Sequence, residues 1–263
     1  MKQQTLKLTS YLPLNQLASR HALLAQGFSP HTLDNHLKSG ALEKVVKGIY
    51  IRRESKLNWQ GVVASLANLV DEPVAVGGLT ALELQGFAQY LPLNTQQKVH
   101  LYSSGYCPVR LKVIFKQIGV ELQWHKTARL WKKGWPEEIK LNEHKWHEDS
   151  ASMQVSTPEQ AILEVLMSLP EEISFEHAEQ LMQGLTQLSP RKLKSLLQSC
   201  KSVKVKRLFF WFADRFTYPW CNKLNSNDYD LGSGKRVIAT SGKLDGRFNI
   251  TVPKELYREY ADE

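Results

Sequence analysis

The chain has 263 residues and a net charge of +8, with 42% hydrophobic and 23% charged residues, which is typical of a soluble globular protein long enough for two domains. No run of about 18 apolar residues is present, and the start of the chain lacks the apolar core of a signal peptide, so we expect a cytoplasmic protein without a membrane partner. The 3 cysteines are far apart and form no C-x-x-C pair, which argues against a disulfide framework and a zinc site. We expect no metal and no cofactor.

Two segments of the chain hold most of the positive charge. Residues 1–53 contain eight Lys/Arg against two Asp/Glu, and residues 191–218 contain eight against one, whereas the segment between them is slightly acidic. Basic blocks of this density favour a polyanionic partner, and the backbone of nucleic acid is the usual one. The alternative is a solvated surface that aids solubility.

The first elements predicted are helical. Residues 5–12 form either a first helix or an irregular arm. Asn15–Gln26 is predicted to be a helix with Leu17 and Leu24 on its apolar side, and Gly27 ends it.

A second helix follows at once. Ser29 is a good N-cap, and Pro30 suits the first helical position because its missing N–H costs nothing there. Leu33 and Leu37, four residues apart, form the buried stripe, and Gly40 stops the helix because glycine readily takes a positive φ. The pattern of helix, glycine-containing turn and helix is that of a helix-turn-helix.

A basic hairpin comes next. The β-prone runs LEKVV and GIYIRR meet at Lys47-Gly48, which predicts two strands joined by a turn, with Tyr50 in the core rather than in contact with a ligand. A helix-turn-helix followed by a basic hairpin is the layout of a winged helix-turn-helix. The second helix then enters a DNA groove and the hairpin is the wing.

The polar side chains of this stretch fit DNA binding. Outward positions on the helix offer groups for base edges, and the hairpin offers cations for phosphates. The alternative is a small α/β unit with a solvated polar face. The candidate DNA-binding residues are Ser29, His31, Thr32, Asn35, His36, Lys38, Lys44, Lys47, Arg52 and Arg53.

The composition changes after the hairpin, so we predict a winged domain over residues 1–54 and a larger α/β domain over residues 55–263. The fold class is α+β, and the larger domain includes a helical segment. Helices are predicted at Leu57–Leu69 and from Thr80, and four more begin near Pro158, Ser174, Ser189 and Val203. Strands are predicted at PVAVGG, KVHLYS, LKVIF and VELQWH, and the tail runs RVIAT and RFNITVP form a hairpin or two extended segments.

Signals of catalysis are poor. LGSGK lacks the spacing of a phosphate-binding loop, and neither a nucleophile elbow nor a dinucleotide fingerprint is present. His144 and His147 lie three residues apart beside acidic residues, but the segment is polar and a solvated loop is the better interpretation. The residue two positions after Glu121 is Gln123, where a restriction-type nuclease requires lysine. We predict that the protein is not an enzyme.

Several segments together resemble the AbiEi antitoxin family of type IV toxin–antitoxin systems. They are spread over nearly the whole chain, and the longer ones are specific. The segments are GFSPHTLDNHLKSGALEKVVKGIYIRR, VGGLTALELQGFAQYLPL, STPEQAILEVL, SVKVKRLFFWFADR and DLGSGKRVIATSGKLDGRFNITVPKE.

The resemblance implies a transcriptional repressor that binds inverted repeats in double-stranded DNA at its own promoter. It also implies an antitoxin that counteracts an AbiEii-like toxin, similar to nucleotidyltransferases, without a stable complex. Two other functions stay open from the residues alone. One is a nuclease-like enzyme that the winged domain targets to nucleic acid, and the other is an RNA-binding protein that uses the second basic block.

The second basic block has its own prediction. Its central residues lie where one predicted helix ends and the next begins, and the resemblance assigns toxin neutralisation to the C-terminal domain. The block is therefore predicted to be an antitoxin surface, with a solvated helix face and an additional DNA contact as alternatives. The residues are Lys201, Lys204, Lys206 and Arg207.

Overall fold

The structure is a computed structural model, which describes residues 8–88, 96–132, 140–146 and 150–258. These residues belong to two compact units. The first unit comprises Met1–Val76, Pro92–Lys126 and Leu141–Val155, and the second comprises Gly77–Leu91, Thr127–Lys140 and Ser156–Glu263. Both units mix helices with strands, in agreement with the predicted α+β class. Within the described residues, no helix is both long and apolar enough to cross a membrane.

The elements are numbered in chain order. The helices are α1, of which residues 8–11 are described, α2 (Arg20–Ala25), α3 (Pro30–Lys38), α4 (Trp59–Ala64), α5 (Gly78–Leu84), α6 (Val109–Gln117), α7 (Pro158–Met167), α8 (Phe175–Gly184), α9 (Pro190–Ser199) and α10 (Val203–Ala213). The strands are β1 (Leu17–Ser19), β2 (Leu42–Val46), β3 (Ile49–Arg52), β4 (Val74–Val76), β5 (Lys98–Ser103), β6 (Glu121–Lys126), β7 (Asn142–His144), β8 (Met153–Val155), β9 (Lys243–Asp245) and β10 (Ile250–Val252).

The start of the first unit is a winged helix-turn-helix with its own small core. Strands β1, β3 and β2 form an antiparallel sheet in that order, and helices α1, α2 and α3 pack with it. The hairpin β2–β3 has the predicted Lys47-Gly48 turn, and Tyr50 is only 6% exposed, which confirms its place in the core. The core side chains are Leu8, Leu12, Ala18, Leu23, Phe28, Leu33, Leu42 and Tyr50.

The predicted helix over Asn15–Gln26 is wrong at its start. Leu17 and its two successors form strand β1, because their backbone pairs with β3 and Leu17 lies opposite Ile51. The helix begins only at Arg20, capped by the Ser19 hydroxyl. Leu24, predicted to be on the apolar side, is 37% exposed, whereas Leu23 is fully buried.

The rest of the first unit contains helices α4 and α6 and a five-stranded sheet in the order β6-β5-β4-β8-β7. LKVIF was predicted to be a strand, and this prediction is wrong because the segment lies inside helix α6. Strands β5 and β6 are parallel, so the chain between them must return to the starting edge, and α6 is that crossover. The buried residues Leu111, Ile114 and Phe115 have helical spacing.

The four predicted helices of the second unit are confirmed as α7 to α10. The hydroxyls of Thr157, Ser174, Ser189 and Ser202 each accept a hydrogen bond from a backbone N–H in the first turn. Helix α7 is buried almost all round, so it is the central element of this unit.

The tail differs from its predicted strands. RVIAT forms no strand, and only its first residue, Arg236, makes an isolated bridge to Ile250. The hairpin instead pairs β9, which lies between the two predicted runs, with β10. The register is fixed by Asp245, which accepts a hydrogen bond from the Phe248 N–H at 2.9 Å across the turn.

A carboxylate is buried in the second unit without a cation beside it among the described residues. Glu164 on α7 is 0% exposed and accepts hydrogen bonds from the Gly78 N–H at 2.7 Å, the Gln160 amide at 2.8 Å and the Ser156 hydroxyl at 3.1 Å. Burial raises the pKa of Glu164 to about 7, although the three donors lower it in part.

We expect this carboxylate to make stability depend on pH. Its pKa is 4.5 unfolded and about 7 folded, so the folded state binds more protons between these values and the free energy of unfolding falls as pH rises through them. The loss is on the order of 3 kcal/mol, at about 1.4 kcal/mol per pKa unit. Chemical denaturation at both ends of this pH range should show a smaller fall in Glu164→Gln than in the natural protein.

The comparison also controls for a second carboxyl group. Burial raises the pKa of Glu83 to about 7 as well, and Glu83 contributes equally in both proteins. An identical fall in both proteins would contradict the assignment to Glu164.

Candidate nucleic-acid interface

Helix α3 is held so that one face is buried and the other is open. The Ser29 hydroxyl accepts a hydrogen bond from the Thr32 N–H at 3.1 Å, and Pro30 occupies the first turn, as predicted. Leu33 is fully buried, and Gly40 ends the helical region with φ +73°, a value that side chains with a Cβ rarely adopt. Local signals in the sequence, at Ser29, Pro30 and Gly40, thus determine where α3 begins and ends.

The open face carries four hydrogen-bonding side chains, which form two pairs. The Ser29 and Thr32 hydroxyls are 2.9 Å apart, and the Asn35 amide nitrogen lies 3.2 Å from Nδ1 of His31. His31 and Asn35 are exposed, and Thr32 is half-buried. Both pairs connect neighbouring turns of the helix, so their side chains are partly ordered before any ligand binds.

His36 does not lie on this face, and its predicted outward position is wrong. It is 7% exposed, its ring meets the Phe28 ring edge to face at 6.3 Å, and its Nε2 has no hydrogen-bond partner within the described part of the chain. The reason is the helical period: position 36 is three residues after Leu33 and falls on the same buried stripe. Burial lowers the pKa of His36, which favours the neutral ring.

The wing carries two lysines and two arginines, and each arginine lies beside a carboxylate. Lys44 and Lys47 are exposed, and no described residue forms an ion pair with them. Arg52 lies 3.5 Å from Glu54, and Arg53 lies 3.9 Å from Glu43, measured between nitrogen and carboxylate oxygen. The pair of Arg53 is exposed and therefore weak, so Arg53 can exchange its partner for a phosphate, whereas the Arg52 side chain is only 17% exposed.

The helix-turn-helix is braced by contacts that fix the wing against it. The Arg20 N–H donates to the Gly48 carbonyl in the wing turn at 2.8 Å, and the Arg20 guanidinium lies 3.6 Å from Asp34 on α3. Helix α3 and the wing turn are therefore linked through Arg20. The structure leaves most of the predicted residues exposed, with Thr32 and Arg52 partly buried and His36 buried. The exposed ones are Ser29, His31, Asn35, Lys38, Lys44, Lys47 and Arg53.

One cation beside the wing was not predicted. Arg110 on α6 is exposed, and its guanidinium lies 3.6 Å from the position that a Cβ on Gly48 would occupy. No local pattern points to Arg110, because it lies just before a segment that was predicted to be a strand and 62 residues beyond the wing turn in the chain.

The second basic block does not form one exposed surface, and this prediction is wrong. Arg207 is 1% exposed and donates to four backbone carbonyls at 2.7–3.1 Å. Three of them belong to the segment LGSGK, where Gly232 and Gly234 have positive φ. This loop therefore presents carbonyl oxygens to a cation of the protein rather than N–H groups to a phosphate. The four acceptors are Leu231, Gly232, Gly234 and Asn249.

The three lysines of the block also differ in their surroundings. The Lys204 ammonium donates to the Met167 carbonyl at 3.0 Å and to the Leu169 carbonyl, where α7 ends, and this satisfies two carbonyls at the helix terminus. Lys206 is 5% exposed, so only Lys201 offers an exposed charge. The sequence could not show this division, because each partner lies 24 to 42 residues away.

His144 of the rejected metal site lies on β7, and His147 lies outside the described residues.

Two family models match nearly the whole chain. The model described as "Transcriptional regulator, AbiEi antitoxin N-terminal domain" matches residues 1–93. The model described as "Transcriptional regulator, AbiEi antitoxin, Type IV TA system" matches residues 96–253. A comparison with curated proteins gives no match.

The chain is also similar to a solved structure, the crystal structure of the RV2827C protein from Mycobacterium tuberculosis. The identity is 13%, the match covers 94% of this chain and 88% of that one, and the TM-score is 0.56. At this identity the similarity concerns the fold alone.

Proposed function

Because the chain belongs to the AbiEi family of antitoxin transcriptional regulators of type IV toxin–antitoxin systems, we propose that it represses its own promoter by binding inverted repeats in double-stranded DNA. The observation that carries this proposal is that α3, with its open face, is linked to the wing turn through Arg20. The exposed face of α3 offers Thr32 and Asn35, with His31 beside them, to base edges in the major groove, and the wing offers cations to phosphates on either side.

The contacts divide into two classes. Asn35 suits a bidentate pair with adenine, for which its amide must turn away from His31. Lys44, Lys47, Arg52 and Arg53, with Lys38 and Arg110, suit phosphate contacts that set affinity and orientation. Ser29 caps α3, so its hydroxyl supports the position of Thr32 and offers a further phosphate contact.

The same chain acts as an antitoxin in this proposal. We assign DNA binding to residues 1–54 and counteraction of an AbiEii-like nucleotidyltransferase toxin to residues 55–263, without a stable complex between the two proteins. Of the basic block from Lys201 to Arg207, only Lys201 is free to contribute an exposed charge to that activity.

The two activities are separable in cells that carry a reporter driven by the chain's own promoter and an inducible toxin. The variant Lys44→Gln/Lys47→Gln should lose most repression and still rescue cells from the toxin. Equal repression by the variant and the natural protein would contradict DNA binding by the wing. Absence of rescue by the natural protein would contradict the antitoxin activity.

Wing substitutions should change the salt dependence of DNA binding in vitro. Lys44→Gln and Lys47→Gln each remove one phosphate contact, so each should weaken binding to all sequences alike and reduce the slope of log affinity against log salt by about 1. Anisotropy titrations of operator and unrelated DNA at several salt concentrations measure both effects. Lys254→Gln, an equally exposed lysine outside the proposed interface, is the matched control and should leave the slope unchanged.

A loss confined to the operator would show instead that the wing reads bases. An unchanged slope in both wing variants would remove these lysines from the interface.

A further inference from the structure

Three lysines and two aspartates line a small cavity in the second unit. Its volume is about 220 Å³, and it lies beside the end of α9 and the start of α10. The lysines are Lys132, Lys201 and Lys206, and the aspartates are Asp228 and Asp230.

Lys206 is the feature that needs an explanation. Its side chain lines the cavity and is only 5% exposed, yet no hydrogen bond or ion pair to its ammonium is found in the described ranges of the chain. It lies close enough to Cys200 to offset part of the rise that burial causes in the pKa of that thiol. An ammonium that lines a cavity without a partner from the described residues of the protein is available to an anion there.

The other two lysines are held at the same cavity by backbone contacts. Trp131 and Cys200 form an antiparallel bridge, and the Lys201 N–H donates to the Leu130 carbonyl at 2.8 Å. Lys132 and Lys201 are both exposed, so their ammonium groups are available at its mouth. Three lysines that line one cavity suit the oxygens of a phosphate monoester, which carries nearly two negative charges at neutral pH.

The two aspartates of the lining suit hydrogen-bond donors. Asp228 is exposed, and Asp230 uses one oxygen to accept from the Gly232 N–H at 2.8 Å and keeps the other available. Carboxylates accept hydrogen bonds from the hydroxyl groups of a ribose, as they do in dinucleotide sites. The volume is below the roughly 300 Å³ at which pockets enclose a whole small ligand, so a base would remain outside.

We propose that this cavity binds a ribose phosphate group, with its phosphate on Lys132, Lys201 and Lys206 and its hydroxyls on Asp228 and Asp230. The group can come from a free ribonucleotide or from the phosphorylated end of an RNA. The site does not depend on the DNA interface of the first unit, and the two proposals are tested by different measurements.

Calorimetric titration of the full chain with ribose 5-phosphate tests the proposal. We expect saturable binding that falls at least tenfold in Lys206→Met and is unchanged in Lys194→Gln, an exposed lysine of α9 that does not line the cavity. Asp228→Asn should weaken ribose 5-phosphate more than inorganic phosphate. Titrations with adenosine monophosphate and with a short 5′-phosphorylated RNA then distinguish a free ribonucleotide from an RNA end. The compound that binds with the higher affinity identifies the source.

Stability separates a binding role of Lys206 from a structural one. If its charge serves a ligand, Lys206→Met without ligand should be about as stable as the natural protein, because the ammonium has no hydrogen bond or ion pair within the described residues to lose. A marked loss of stability would show that the ammonium is paired within the protein and would overturn the proposal. So would the absence of saturable binding by the natural protein, or equal binding by Lys206→Met. If Lys206→Met does not fold, the exposed pair Lys132→Gln/Lys201→Gln decides: reduced binding supports the site, and unchanged binding overturns it.

Discussion

Arg207→Met should lower the free energy of unfolding of this protein by about 3 kcal/mol, the largest effect that we expect from one substitution. The guanidinium is buried and donates to four carbonyls from two separate segments, 231–234 and residue 249. Methionine fills a similar volume but donates no hydrogen bond, so these carbonyls lose their donor. Chemical denaturation of the full chain measures the change in the free energy of unfolding.

Two further variants make the Arg207 result specific. Arg207→Lys keeps the charge, but its compact ammonium cannot reach all four carbonyls, so its stability should be intermediate. Lys201→Met removes an exposed charge six residues earlier and should change stability by no more than about 0.5 kcal/mol. If Arg207→Met were as stable as the natural protein, the guanidinium would not hold the two segments.

The second large effect concerns specificity. Thr32→Ala/Asn35→Ala should lose about 1–3 kcal/mol of discrimination for each base contact removed, or several kcal/mol in total. Both side chains lie on the open face of α3, and their bonds to Ser29 and His31 stay within the helix, so folding should be little affected. Competition between operator and unrelated DNA at one fixed salt concentration measures the discrimination.

The matched control makes the same chemical changes elsewhere. Asn222→Ala/Thr240→Ala alters an exposed asparagine and an exposed threonine of the second unit and should leave discrimination unchanged. If the variant of α3 retains the affinity and specificity of the natural protein, this helix does not read the operator.

Local signals predicted the central part of the winged region correctly. The cap at Ser29, the stop at Gly40 and the turn at Gly48 each depend on residues within one or two turns, and the structure has all three. Strand β1 was missed because a segment of three residues has no period of its own, and Leu17 becomes a strand residue only by pairing with Ile51.

Tertiary contacts decided the remaining differences. LKVIF has the composition of a strand, but the parallel pairing of β5 and β6 requires a crossover there, and that pairing is not visible in the segment itself. The sequence of the basic block likewise shows which residues are charged, but not which part of the protein each side chain faces. Arg207 faces carbonyls, Lys204 faces a helix terminus and Lys206 lines a cavity, and these partners come from distant parts of the chain.

The site prediction failed at His36 for a different reason. Its neighbour on the buried stripe, Leu33, was identified, but a histidine was read as polar and therefore outward. In the structure the small core reaches to position 36, and the Phe28 ring covers the imidazole. A polar residue three positions after a buried leucine is better placed by helical period than by its chemistry.

Binding of the full chain to the DNA directly upstream of its own reading frame tests the central claim most directly. Anisotropy titrations would compare this DNA with a scrambled duplex of equal length at one salt concentration, with and without Mg²⁺, and the DNA would be recovered afterwards. We expect the upstream DNA to bind at least about 10³-fold more tightly than the scrambled duplex and to remain intact with Mg²⁺. Equal affinity for both duplexes, or cleavage that depends on Mg²⁺, would contradict the account.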